Sequence, residues 1–203
     1  IPFGFFSYAE TLGVKIGDVP LMILPAYFFN GYLAWIMACL LVGTEQRLFD
    51  RRQIIQVPFL AALLMVMWNL SFEPVMSTIE GHWQWQSGDW HGVPLTNYAG
   101  WLLTSFLFFL AFSILLKKYG EKLDARRVNI LPHNHWYLIP VMYAVQSLPG
   151  LLHLLFRDGH EEIYRSVAML TAFTVLPAAA LTVIQVRRRR SRQAARKNEG
   201  GSS

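Results

Sequence analysis

The chain has 203 residues, 54% of them hydrophobic and 14% aromatic, with a net charge of +5 and a mean hydropathy of +0.32. That is too apolar for an ordinary soluble domain of this length and makes a membrane protein the natural class. The positive charge does not point to nucleic acid. Three Lys and Arg lie between 43 and 53, five between 117 and 135, and seven from Arg187 onward, whereas the alternate connections hold eight of the 13 acids. This is the positive-inside pattern of a chain that crosses a membrane repeatedly.

In chain order, residues 1–17 are aromatic, interrupted by Gly4, Gly13 and Gly17, and too short to span. They are expected to lie at the interface or to fold back into the domain. Because Ile1 already opens a stretch that resembles a protein interior, further N-terminal residues are expected to precede it. Crossing a bilayer takes roughly 20 mostly apolar residues. Five candidate spans follow: Val19 to Val42, Ile54 to Phe72, Tyr98 to Leu116, Trp136 to Phe156 and Ile163 to Val186. Pro140, Pro149, His153 and Pro177 interrupt the last two, which membrane helices tolerate where neighbours re-satisfy the backbone. The single cysteine, Cys39, lies inside the first span and reads as a packing residue.

The expected fold is an all-α, polytopic membrane helix bundle of about five helices, forming one domain over residues 1–186. The basic segment 187–203 is expected to be a disordered cytoplasmic tail near anionic lipid. This places the protein in the cell membrane as a multi-pass chain, with lipid and not nucleic acid as its surroundings.

Chemistry concentrates between the second and third spans. Asn69 and Glu73 are four residues apart, so a helix reaching Pro74 carries both on one face. A carboxyl group at the membrane edge is a candidate general acid. Glu80 and Asp89 in the following loop are candidate partners for it. The tryptophans Trp68, Trp83, Trp85, Trp90 and Trp101 suit either an interfacial belt or a groove for a long apolar ligand, where their faces can stabilise a carbocation. Trp83 and Trp85, flanking Gln84 beside His82, are the better groove candidates; Trp90 fits the belt. The loop carries no Lys or Arg, and its aromatic density argues for order.

No metal is expected. His82 and His91 fall on one side of the membrane and His133 and His135 on the other, and His133-Asn134-His135 lacks the helical i, i+4 pair of zinc hydrolases. Buried His153 reads as a packing residue. The absence of an Asp-rich diphosphate motif, of Gly-x-Ser-x-Gly, of a Walker loop and of a dinucleotide fingerprint argues against prenyl transfer, serine hydrolysis and NTP-driven transport.

Taken together, Ile1-Pro2-Phe3-Gly4, Tyr8-Ala9-Glu10, Leu12-Gly13, Val19-Pro20-Leu21, Trp68-Asn69-x-x-x-Glu73-Pro74, Gly81-x-Trp83-x-Trp85 and Gly92-Val93-Pro94-Leu95-x-Asn97-Tyr98-x-Gly100-Trp101 resemble the CruF-type carotenoid biosynthesis family of membrane carotenoid hydratases. The likeness is strongest from residue 1 to about 104. It implies cofactor-free addition of water across the terminal double bond of an acyclic, lycopene-like or longer carotenoid, giving a tertiary alcohol. By that resemblance Glu73 is the leading acid, with Glu10 as a second candidate. Glu80 or Asp89 orients or deprotonates water, and Asn69 positions water or the carboxyl. Trp68, Trp83, Trp85, Trp101, Tyr8, His82 and Asn97 contact substrate. Other enzymes of the same pathway are expected partners. The chain departs from the usual family pattern at Asn69 and Glu73, where Asp is common: Glu keeps the acid but moves it by a methylene, while Asn removes a proton donor. A membrane cyclase or isomerase that forms the same cation, and a non-catalytic carotenoid- or lipid-binding protein, are the competing expectations.

Overall fold

A computed structural model of the chain describes residues 4–44, 50–119, 135–156 and 159–200. Ile1, Pro2 and Phe3 of the motif, the basic residues Arg47, Lys122, Arg126 and Arg127, and His133 lie outside them.

Two helices, α1 (Ile23–Val42) and α2 (Gln53–Pro74), lead the bundle. Gly43 ends α1 in the left-handed region at φ +81°, its N–H returning to the Cys39 carbonyl, a conformation that costs glycine little. The Asp50 carboxylate accepts the backbone N–H groups of Arg52 and Gln53 at 2.8 and 2.7 Å, satisfying donors that the first turn of α2 leaves open. Helix α2 lies between α1 and α3 (Leu95–Tyr119). Ala34, Ala38, Ala61 and Ala62, all fully buried, let the backbones approach. Leu33, Met37, Leu64 and Phe109 fill the remaining space. The outer face of α3, with Leu107, Phe108, Ile114 and Leu115, is exposed, as a lipid-facing surface requires.

Among the described residues, four helical stretches are long and apolar enough to cross a membrane: Ile23–Val42, Gln53–Ile79, Leu95–Tyr119 and Glu161–Arg192. The membrane helix bundle expected from hydropathy is therefore present. The fourth expected span, however, is not one helix. It divides into α4 (His135–Val145) and α5 (Leu148–Phe156). Pro149 lacks the N–H that would bond back to Val145, which favours starting a new helix there. Helix α4 packs on α1 and on the last helix, α7 (Leu176–Gly200), and the Tyr143 hydroxyl donates to the Leu64 carbonyl of α2 at 2.7 Å; α5 packs on α6 (Glu161–Leu170). The last stretch runs through α6 (Glu161–Leu170), a π-helical turn (Thr171–Val175) and α7 (Leu176–Gly200).

The segment from Arg187, expected to be disordered, is also helical as far as Gly200. Its Arg, Gln and Ala residues are good helix formers, so the preceding apolar turns propagate into it. Arg189 donates to the Cys39 and Leu40 carbonyls at 3.2 and 3.3 Å, placing positive charge at the C-terminal end of α1.

Residues 75–94 close the other end of the bundle. A π-helical turn (Val75–Ile79) continues α2 and delivers the chain into strand β4 (Trp83–Trp85). The opening segment folds back onto it: β1 (Phe6–Tyr8) pairs antiparallel with β4, matching Phe6 to Trp85 and Tyr8 to Trp83. A second small ribbon joins β2 (Lys15–Ile16) to β3 (Val19–Pro20), so the first span begins at Ile23 rather than Val19.

The connection into α3 is tightly wound. Trp90 and Val93 exchange backbone bonds, Gly92 has φ +80°, and the Thr78 hydroxyl donates to the His91 carbonyl. A Cβ on Gly88 would stand 2.1 Å from the Gly92 carbonyl carbon, a clash with backbone rather than with a movable side chain. Gly88→Ala is therefore expected to destabilise this loop by about 1–3 kcal/mol. The melting temperature in detergent should fall by several degrees; an unchanged midpoint would contradict the packing.

Candidate active site

Helix α2, strands β1 and β4 and the first turns of α3 converge on one carboxyl group. Glu73 is 3% exposed. Its Oε1 accepts the indole N–H of Trp83 at 2.5 Å and that of Trp85 at 2.9 Å. Both bonds follow from the strand, because residues two apart on a strand project from the same face. The Trp-x-Trp spacing thus aims two N–H groups at one oxygen.

The second oxygen meets Asn69, one turn earlier on α2. With the amide oriented to suit its neighbours, Asn69 Nδ2 donates to Glu73 Oε2 at 3.1 Å and Oδ1 accepts from Trp101 Nε1 at 3.1 Å. Three N–H donors then face a carboxyl group, the arrangement that suits its acceptor-only, ionised form. The reverse orientation sets Oδ1 against Glu73 Oε2, where a bond forms only if Glu73 carries a proton, and turns two N–H groups toward each other at Trp101.

Beside the carboxyl lies a cavity of about 280 Å³ lined by Phe6, Tyr8, Tyr27, Trp83, Trp85 and Trp101 among others. Gly4, at φ +111°, lies against the Trp85 ring, which a Cβ would approach to 2.9 Å. From α3 the cavity receives Asn97, Gly100, Trp101 and Thr104, the i, i+3, i+4, i+7 stripe of one helix face. Asn97 Nδ2 is buried with no hydrogen-bond partner among the described residues. Tyr8 and Tyr27 reach the cavity from β1 and α1. Burial, reinforced by the Glu73 charge, holds the Tyr8 phenol above its ordinary pKa, so it remains a neutral hydroxyl.

Of the residues expected from sequence, Glu73, Trp83, Trp85, Trp101, Tyr8 and Asn97 line this cavity, and Asn69 supports it from behind. The others lie outside the cavity lining. Glu10 is an exposed carboxylate paired with Lys15 at 2.8 Å, because a short 3-10 turn carries it away from the strand. Asp89 is exposed on the loop. Glu80 follows the π-helical turn and does not line the cavity. His82 contributes backbone bonds, with Met76 through its N–H and with Ala9 through its carbonyl. Trp68 is buried and stacks on Phe72 with centroids 4.6 Å apart, one layer below the cavity. Among the side chains of the cavity, sequence reasoning missed Phe6, Tyr27 and Thr104. The helical stripe extended from Asn97 identifies Thr104, whereas only the tertiary ring contact with Trp101 brings in Tyr27. Among the described residues, no three His, Cys, Asp or Glu side chains gather to hold a metal.

The chain matches the carotenoid biosynthesis protein family over residues 1–177, well past residue 104, where the motif likeness was expected to fade. A relative, the bisanhydrobacterioruberin hydratase of Haloarcula japonica, is 35% identical over 134 residues, covering 64% of this chain and 42% of the relative. The chain thus matches less than half the length of that relative. No solved structure matches it. With its motif residues gathered around one buried carboxyl and the match reaching the start of α7, the chain belongs to the carotenoid biosynthesis protein family.

Proposed function

We propose that this chain hydrates the terminal carbon–carbon double bond of an acyclic carotenoid, giving a tertiary alcohol without a redox cofactor. The observation that carries the reading is the Glu73 carboxyl, buried against an aromatic cavity and held by Trp83, Trp85 and Asn69. In its protonated form, with Asn69 Oδ1 accepting from Oε2–H, Glu73 gives its proton to the less substituted alkene carbon. The positive charge falls on the tertiary carbon, where the indole and phenol faces stabilise it by about 0.5–2 kcal/mol per well-placed ring. Water adds to that carbon and returns a proton to Oε2, so the cycle closes with no net proton consumed. The relative's name, a hydratase of a carotenoid, supports the same reaction class.

The cavity lies at the lower edge of the roughly 300–1,000 Å³ usual for ligand sites, which suits one end of a long polyene rather than the whole molecule. In this reading the protein resides in the cell membrane with the site at the non-cytoplasmic end and the C-terminus in the cytoplasm, surrounded by lipid and working alongside other enzymes of the pathway. Expression in a lycopene-making host tests it. The extracted pigment should gain the mass of one or two waters; an unchanged pigment profile alongside folded protein would refute the proposal.

A further inference from the structure

We infer that the hydroxyls of Tyr8 and Tyr27 hold the water that captures the cation, making Tyr27 a further catalytic residue of this site. The inference rests on the hydration reading above. A carboxylate offers about four lone-pair positions. Trp83 and Trp85 take two on Oε1 and Asn69 takes one on Oε2, which leaves one on Oε2. A water donating to that position needs at least one further polar partner. The acids expected to supply it, Glu80 and Asp89, do not line the cavity. Tyr8 and Tyr27 do, from β1 and α1. Each phenol carries one O–H donor and lone pairs that a third group can use. Tyr27 is fixed by its edge-to-face contact with Trp101, centroids 4.8 Å apart, and Tyr8 by a similar contact with Trp83 at 6.1 Å. A water accepting from the tyrosine O–H and donating to Oε2 is oriented so that its remaining lone pair attacks the tertiary carbon. The new C–O bond forms as its O–H proton passes to Oε2.

The prediction concerns the fate of the cation, not its formation. In membranes of a lycopene-making host supplied with deuterium oxide, the wild-type chain should convert pigment mainly to deuterated alcohol. Tyr27→Phe keeps the ring but loses the hydroxyl. The cation should then lose a proton instead of gaining water, leaving deuterium-labelled or isomerised alkene, with the ratio of alcohol to labelled alkene reduced at least about tenfold. Tyr8→Phe should shift the same ratio in the same direction. Both products come from the same folded molecules, so the ratio is insensitive to a lower yield of folded variant. An unchanged ratio, or equal loss of both products in both variants, would overturn the inference while leaving hydration at Glu73 standing. A wild-type chain that gives neither product would overturn the hydratase reading and this inference with it.

Discussion

Glu73→Gln is expected to abolish hydration, by about 10²–10⁴-fold or more, which is the usual contribution of a positioned proton-transfer group. The glutamine side chain has nearly the same shape as the glutamate it replaces, and its carbonyl oxygen can still accept the Trp83 and Trp85 N–H groups. Its amide nitrogen faces Asn69, which must then present Oδ1 and oppose the Trp101 N–H. The substitution therefore costs one poor contact, keeps the fold, and removes the exchangeable proton. Glu73→Asp should lie between the two, because the carboxyl survives but withdraws from the indoles. Glu10→Ala and Asp89→Asn should have little effect, since both carboxylates are exposed and away from the cavity. The comparison requires pigment mass analysis together with helical content and melting temperature for each variant. Full hydration by a folded Glu73→Gln protein would remove Glu73 from the chemistry.

The sequence disclosed the helices and the Asn69–Glu73 pair more readily than the cavity. Hydropathy located α1, α2 and α3 to within a few residues at most ends, because a long apolar run has few alternatives in a membrane. The Asn69–Glu73 pairing followed from helical spacing. The division of the fourth span into α4 and α5 was less legible: prolines occur in intact membrane helices too, and packing on α1, α7 and α6 decides the outcome. Three-residue strands such as β1 and β4 are too short to announce themselves by alternation, so the common target of Trp83 and Trp85 emerged only from their pairing. The same pairing separates Tyr8, which reaches the cavity, from Glu10, two residues later, which turns outward to Lys15. Tyr27 sits among exposed residues near the start of an apolar helix and carries no local signal. Its place in the cavity depends on a tertiary contact with Trp101.

Replacing Trp83 and Trp85 together by Phe is expected to be the most damaging change that spares the carboxyl itself. Phenylalanine retains the aromatic surface packed against Tyr8, Phe6 and Phe72. It removes both donors from Glu73 Oε1 while the carboxyl stays buried. Hydrogen bonds to a charged group contribute about 1.5–3 kcal/mol each, so the pair is worth about 3–6 kcal/mol. Set against a typical total stability of about 5–15 kcal/mol, that loss is large enough to unfold a substantial fraction of the protein or to force a proton onto Glu73. Unfolding removes the site, and in molecules that stay folded the carboxylate left by proton transfer has lost both donors, so hydration should fall by at least about 10²-fold. A thermodynamic cycle separates the role of the N–H groups from that of ring shape. In a Glu73→Gln background the carboxylate charge is gone, so the same two Trp→Phe changes should cost less, with a coupling of about 0.5–3 kcal/mol. Equal destabilisation in both backgrounds, measured by thermal unfolding in one detergent, would mean that the indoles act through packing alone. A clear coupling would instead identify the Trp-x-Trp strand as the element that makes a buried carboxylate tolerable at the end of a membrane helix.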